Sequence, residues 1–317
     1  MVSLPLTLHN LTPEEVLADF YFRPDFLELH SRPDACDVLD IGAFSHGSAV
    51  RAIPGSKLED LETPHGYGGP SALDISSLKE GIAAWREKQR RAGRVAEFIR
   101  LHPFLNAEAL DGMVDYLEFN RQTVILDLEQ SIDERFKTYS KGTRHALRHA
   151  EKNLTIRRLN ADEGDILEGL HQATLIRNAV HADLFFPPGY YQTLMAMPWV
   201  TCWVAEKENE PVAVAVYFSS TPRLCHYHLA GGIDIARETK ANYLLLEYAF
   251  RHFTEQGAKW MHLGGGRGQD PQDPLYKFKS KFSKLRASYH TAGMIHDRKQ
   301  YKALGGDQSP RFLGYRS

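Results

Sequence analysis

VTCWVAEKENEPVAVAVYFSSTPRLCHYHLAGG, residues 200–232, is the stretch that decides the fold. Three runs rich in β-branched and aromatic side chains, Val200 to Lys207, Val212 to Ser220 and Arg223 to Ala230, alternate with turn residues at Glu208 to Pro211 and Ser219 to Pro222. That pattern predicts an antiparallel three-stranded meander. Downstream, Glu238 to Gln256 predicts a helix with Leu244, Leu245, Tyr248, Ala249 and His252 on one face and Gly257 as its stop. A strand from Lys259 to Leu263, a short helix near Pro274 to Phe282 and a strand near Leu285 to Thr291 follow. Upstream, Thr155 to Leu159 reads as a strand and Asp162 to His181 as an amphipathic helix, and Pro187 and Pro188 open a short helix to about Met197. The second half therefore runs strand, two helices, three-strand meander, long helix, strand, helix, strand.

This is the order of elements in the GNAT acyltransferase fold, an α/β architecture (α+β, with a mixed sheet). The first half is patterned less sharply. Strands are expected near Asp37 to Ile41, Ser48 to Ile53, Val95 to Leu101, Val114 to Phe119 and Thr123 to Leu128, with helices near Thr12 to His30, Ile75 to Ala92 and Ile132 to Lys152. A second unit of similar kind fits, which makes two tandem GNAT-like domains, residues 1–152 and residues 153–297.

The 317 residues, 43% hydrophobic and 25% charged, suffice for one large or two medium cores. A formal charge of −2 supplies no global field toward nucleic acid or membrane, so any such contact is local. Cys36, Cys202 and Cys225 lie far apart without a CxxC pair, which fits a reducing compartment. Met1 to Leu11 lacks a basic region followed by an apolar one, and no run approaches the roughly 20 apolar residues of a membrane span. A cytoplasmic protein without integral membrane association is expected.

Several segments carry candidate chemistry. Thr63-Pro64-His65-Gly66-Tyr67-Gly68-Gly69-Pro70 is either an elaborate turn or a loop whose bare backbone admits a ligand. His262-Leu263-Gly264-Gly265-Gly266-Arg267-Gly268 ends a predicted strand; Gln269 stands where a dinucleotide fingerprint needs glycine, but the cluster can accommodate a substrate. In Asp273 to Ser283, Lys277 and Lys279 follow that cluster, and a lysine aimed at a carbonyl oxygen stabilises the oxyanion of acyl transfer. Lys141, Arg144, Arg148 and Lys152 form a helical stripe, solvated or phosphate-binding. His145 and His149 have the spacing of a zincin pair, but Ala146 replaces its glutamate, which excludes a metalloprotease on this motif. His226 and His228 alternate on one strand and suit two metal ligands, yet no third is evident; they are read as cleft-lining donors or acceptors, and no metal is expected. With no GxSxG elbow, a covalent acyl-enzyme is not indicated.

Thr63 to Pro70, Val124 to Lys152, Tyr227-His228-Leu229-Ala230-Gly231-Gly232, His262 to Gly266 and Asp273 to Ser283 together resemble the Fem family, which forms peptidoglycan interpeptide bridges. The sharpest parts are the TPxGYGGP loop and D-x-L-x-x-FK-x-x-F, here Asp273, Leu275, Phe278, Lys279 and Phe282. The resemblance implies two GNAT-like domains, with a C-terminal tail of 298–317 returning to the first and ligands bound between or along them, and it places Lys279 near the reacting carbonyl. His65 departs from the tyrosine more usual in the loop.

The resemblance leaves two co-substrates, aminoacyl-tRNA or acyl-CoA, and no permanently bound cofactor. Enzymes using coenzyme A hold its pyrophosphate on a [RQ]xxGx[GA] loop; here the stretch is Arg237-Glu238-Thr239-Lys240-Ala241-Asn242, with side chains at the glycine positions. Charged tRNA is therefore favoured as donor, and the acceptor is an amine on a small molecule or cell-wall precursor. A ribose alkoxide leaving group needs a proton, for which Tyr217, Tyr227 and Tyr243 are candidates. Lys279 is assigned the developing charge, His65, Tyr67, Gly68 and Gly69 the acceptor, and Arg144 and Arg148 phosphates. A catalytically inactive protein that holds a peptide, nucleotide sugar or lipid-linked precursor is the contrasting class.

Overall fold

Proline and serine set the first surprises in the chain. Thr12 to His30 is not one helix: a Thr12/Glu15 capping box starts α1 (Pro13–Leu17), and a 3-10 turn follows at Phe20–Phe22. Pro24 then opens α2 (Pro24–Leu29), because Arg23 before it is extended at ψ 139, as a residue preceding proline prefers. The computed structural model describes residues 5–31, 35–180, 185–219, 221, 223–308 and 311–316. Met1, His181, Ser220 and Pro222, at the ends of expected elements, lie outside the described residues.

The chain continues through β1 (Cys36–Asp40), β2 (Phe44–Ala52), β3 (Glu59–Glu62), β4 (Ser71–Ala72), α3 (Ile75–Arg91), β5 (Ala96–Arg100) and β6 (Tyr116–Asp127). The two strands expected near 114–128 are thus one, since Asn120-Arg121-Gln122 stays extended. Next come α4 (Ile132–Thr138) and α5 (Lys141–Asn153), expected as a single helix. Tyr139 and Ser140 are both extended, and the Ser140 side chain caps α5 by accepting from the Thr143 N–H. The order then runs β7 (Thr155–Arg158), α6 (Gly164–Arg177), α7 (Tyr190–Met195), β8 (Val200–Lys207), β9 (Glu210–Phe218), β10 (Leu224–Gly232), α8 (Ile235–Glu238), α9 (Ala241–Glu255), β11 (Trp260–Gly264), α10 (Pro274–Lys279), β12 (Arg286–Ile295) and α11 (Arg298–Ala303).

Two units divide this chain: Met1–Gln122 with Ala287–Ser317, and Thr123–Arg286. The limits differ from those expected at 152 and 297 because β6, α4 and α5 do not end the first unit; residues from 123 onward belong with the second. In the first unit the strands are ordered β1-β2-β3-β5-β12, with β4 on β2; β3 and β5 are parallel and the other pairs antiparallel. Leu78, Ile82 and Trp85 of α3 close its core over Phe44, Leu61, Ile99 and Met294. Inside it, fully buried Glu97 accepts hydrogen bonds from Trp85 Nε1 at 2.6 Å, His46 Nε2 at 2.8 Å and the Ser48 hydroxyl. Burial alone would raise the carboxyl, but His46 and His296 hold it below the usual range. The tail packs Tyr301 and Leu313 against Ile53 and Val95, and Tyr315 and Arg316 both bind the Asp60 carboxylate.

In the second unit Val124–Asp127 of β6 begins the order β6-β11-β10-β9-β8-β7, parallel at β10/β11 and antiparallel at the other pairs. Ala213, Ala215 and Tyr217 of β9 share a core with Leu245, Ala249 and Phe253 of α9 and with Leu147 and Ala150 of α5. Helix α6 covers β9 and β10. No helix among the described residues is long and apolar enough to cross a membrane.

Gly231 marks the closest approach of α6 to β10: a Cβ there would lie 2.4 Å from His171 Cα and from the Leu170 carbonyl oxygen. The obstruction is backbone, so it cannot swing aside. Gly231→Ala is expected to destabilise the protein at the upper end of overpacking costs, about 3 kcal/mol, read as a lower midpoint in urea unfolding.

Candidate active site

Strands β10 and β11 pair over only three positions, Leu224–His226 against Trp260–His262. Strand β10 then runs on to Gly232 beside β9, with a register shift between Tyr227 and Leu229, while β11 shifts against β6 between His262 and Gly264. Irregularities on both strands therefore coincide with the level where the pair parts, a common setting for a site.

Helix α10 delivers a lysine to that level. Asp273 starts it, its Oδ1 accepting from the N–H groups of Leu275 at 2.8 Å and Tyr276 at 3.0 Å, with Pro274 in the first position. Burial would raise the Asp273 carboxyl, but N–H donors from Tyr276, Arg267 and Leu275 hold it low. Lys279, at the end of α10, is 7% exposed; its Nζ donates to the Gly265 carbonyl at 2.9 Å and sits 5.5 Å from the centre of the Tyr227 ring. An ammonium is costly to bury without partners, and here a carbonyl and a ring face provide them. Tyr227 is itself raised well above the usual phenol range by burial. Lys277, two residues earlier and so on another face, is exposed. Gly264 ends β11, Gly265 holds Lys279, and Arg267 reaches Asn178 Oδ1 at the end of α6 at 3.2 Å.

A cavity of about 470 Å³ opens at the starts of α5 and α9. Tyr243, on the first turn of α9, lines it, its hydroxyl accepting from Lys281 Nζ at 2.6 Å. Lys240 precedes α9 with φ 62, a left-handed backbone with no side-chain cap. His145 and His149 line the cavity as well. Of the basic stripe expected on α5, Arg144 instead folds back to donate to the Tyr139 carbonyl at 2.9 Å, closing the end of α4, and Arg148 is exposed away from the lining residues. The lining positions 142, 145, 146 and 149 have their own helical spacing, which puts them on one face of α5.

Other candidates find structural surroundings. Tyr217 is fully buried, donates to the Leu245 carbonyl at 3.0 Å, and has its phenol pushed far up by burial and by Tyr227; it belongs to the core rather than to proton transfer. His226 is fully buried with its ring 5.7 Å from that of His262. His228, at the bulge, is half-buried, stacks on Phe218 at 4.2 Å, and has Nε2 3.4 Å from the Tyr190 hydroxyl.

The loop 63–70 belongs to the first unit. Tyr67 packs edge-on between Tyr21 at 5.3 Å and Tyr289 at 5.2 Å, and the Gly68 carbonyl accepts from the His102 N–H at 2.8 Å. Gly66 and Gly69 both have positive φ, and a Cβ would lie 2.7 Å from the Tyr21 ring at the first and 2.8 Å from Leu101 at the second. These glycines answer to the protein packing on itself, as an elaborate turn requires. His65 keeps an exposed face, its imidazole lowered by the crowding around it and then by the Arg100 guanidinium.

Residues 134–279 match the family model of an acetyltransferase (GNAT) domain. No curated protein sequence matches the chain. Among solved structures, the crystal structure of FemX is similar with a TM-score of 0.69 at 12% identity, covering 94% of this chain and 99% of that one. The C-terminal domain of a putative lysylphosphatidylglycerol synthetase from Agrobacterium fabrum has a TM-score of 0.62 at 16% identity, covering 93% of this chain and 94% of its own. The structure of L-PGS from Bacillus licheniformis has a TM-score of 0.62 at 14% identity, covering 92% and 94%. A GNAT domain with a buried lysine where its sheet parts defines an acyltransferase. Residues 134–279 carry the GNAT domain of this class, and the fold of FemX extends over 94% of the chain.

Because the Tyr217 hydroxyl serves a buried carbonyl, Tyr217→Phe is expected to cost about 1 kcal/mol of stability and to leave kcat unchanged. A selective loss of turnover with unaltered unfolding would return this tyrosine to the chemistry.

Proposed function

We propose that the enzyme forms an amide bond by moving an aminoacyl group from aminoacyl-tRNA to an amine acceptor, such as a peptidoglycan precursor or a small metabolite. The acceptor nitrogen attacks the donor ester carbonyl; the C–N bond forms, the bond to the ribose oxygen breaks, and the nitrogen's proton ends on that oxygen. The single observation behind this reading is Lys279, held on the Gly265 carbonyl beside Tyr227 where β10 leaves β11. A pre-positioned ammonium there opposes the negative charge that grows on the carbonyl oxygen. For proton delivery we favour Tyr243, which lines a cavity and whose hydroxyl accepts from Lys281 Nζ.

Two observations support an aminoacyl donor. Lys240 occupies, with left-handed backbone, the glycine position of a coenzyme-A loop, and Asn242 the second, so side chains obstruct a diphosphate's approach to bare backbone. Two structural neighbours bear the name lysylphosphatidylglycerol synthetase or its abbreviation L-PGS, a name for lysyl transfer. The description of the matched domain as an acetyltransferase favours a second reading, N-acylation from acyl-CoA.

Calorimetry with coenzyme A and acetyl-CoA, beside a charged tRNA pool at low and moderate salt, separates the two. Salt-sensitive tRNA binding without coenzyme A binding is expected; tight coenzyme A binding would establish the acyl-CoA reading instead. Lys279→Ala is expected to lower kcat by about 10²–10³, the loss typical of one oxyanion donor, with an unchanged circular dichroism spectrum. Full turnover in that variant would remove Lys279 from the mechanism.

A further inference from the structure

Lys279 ends a helix of six residues, and so short an element holds a side chain in place only if both its ends are fixed. At the start, the Asp273 carboxylate accepts from the Leu275 N–H at 2.8 Å and the Tyr276 N–H at 3.0 Å, which caps α10. The same carboxylate also takes the Arg267 N–H, from the glycine segment that follows β11. That segment lies directly on it: a Cβ built on Gly266 would come within 2.6 Å of Asp273 Oδ1 and 2.9 Å of Asp273 Cβ. The φ of Gly266 is not in the left-handed region, so it is the approach of Asp273, not the backbone angle, that asks for glycine here.

At the other end stands Arg286, the first residue of β12. It donates from Nε to the Tyr276 hydroxyl at 2.8 Å, from Nη2 to Ser280 Oγ at 3.0 Å and from Nη1 to the Ser283 carbonyl at 2.9 Å. A guanidinium, with its donors in a rigid fork, suits three acceptors at once. Tyr276 and Ser280 flank Lys279 in the chain, so one arginine grips the helix on either side of the lysine.

We infer that Asp273 and Arg286 are positioning residues for Lys279. Asp273 ties the segment bearing the Gly265 carbonyl to the helix bearing the ammonium, and Arg286 fixes that helix to the start of β12. Ammonium and carbonyl then keep their 2.9 Å contact as parts of one body. The consequence for turnover rests on the acyl-transfer reading of Lys279, whereas the placement of the ammonium does not.

The test reads the lysine first and the reaction second. Wild type, Asp273→Ala, Gly266→Ala and Arg286→Met are pulse-labelled with acetic anhydride, and each lysine is followed by tandem mass spectrometry. In the wild type, nearly buried Lys279 is expected to react roughly tenfold more slowly than exposed Lys277, because its contact with the Gly265 carbonyl has to open first. Each variant is expected to speed Lys279 by about fivefold or more relative to Lys277, with exposed Lys137 and Lys152, on other helices, unchanged. Unaltered labelling of Lys279 in Asp273→Ala and Arg286→Met, or a rise shared equally by Lys137 and Lys152, overturns the inference. In turnover of a charged tRNA pool with glycinamide as acceptor, Asp273→Ala is expected to lower kcat roughly 10–100-fold with KM little changed, the cost of a misplaced group. It is expected to add no loss in a Lys279→Ala background, where the group is gone; an equal loss in both backgrounds overturns the positioning role. Release of Lys279 with wild-type kcat upholds the brace and rejects Lys279 as part of the reaction, so the two ideas fail separately. Absence of turnover by the wild type counts against the transfer reading and leaves the labelling to decide the inference.

Discussion

The parting of β10 from β11 after His226 and His262 is the constraint on which the site depends. Two strands that remained paired to their ends would satisfy each other's backbone groups and leave nothing for a ligand. Beyond the last pair β10 continues beside β9 on its other edge, and the Gly265 carbonyl past the end of β11 accepts from the Lys279 ammonium. A carbonyl released from a sheet is thus the anchor that makes a nearly buried lysine tolerable. Helix α10 is short, capped by Asp273 and opened by Pro274, so the lysine's position follows from the cap and a turn and a half of helix.

Each unit also contains a buried carboxylate surrounded by donors, Glu97 in the first and Glu247 in the second. Such ions contribute little net stability because desolvation offsets the attraction, but removing a partner leaves a charge stranded. Their effect is to define geometry. Glu97 draws β2, β5 and α3 to one point through His46, Ser48 and Trp85. Glu247, through Tyr139, sets where α5 begins relative to α9 and so shapes the cavity beside Tyr243.

The active-site region of the second unit therefore combines two electrostatic features of different origin. One is a single ammonium, nearly buried, fixed at the strand opening and suited to transient charge on a reacting oxygen. The other is a wetter group of exposed lysines and histidines, Lys240, Lys281, His145 and His149, around the cavity that Tyr243 lines.

Much of this was readable in the sequence, for local reasons. Alternation and turn residues specify the meander at 200–232; Gly257 and Asp273 mark a helix end and a helix start; and the motif around Lys279 singles out one lysine before any contact is known. The breaks at Arg23-Pro24 and Tyr139-Ser140 are written locally too, in a proline and a capping serine. What the sequence could not decide is which way side chains of equal chemistry face. Lys277 and Lys279 differ by burial, Tyr217 and Tyr243 by whether the hydroxyl meets a carbonyl inside or a lysine at a cavity, and Arg144 and His145 by one step around a helix. In the TPxGYGGP loop, Tyr21 presses on Gly66 and Leu101 on Gly69, while Pro64, Gly68 and Gly69 line a small cavity. Residue type and spacing determine the elements and their order, since those depend on near neighbours in the chain; the role of each polar side chain was decided only by tertiary packing, because burial and partners come from residues distant in sequence.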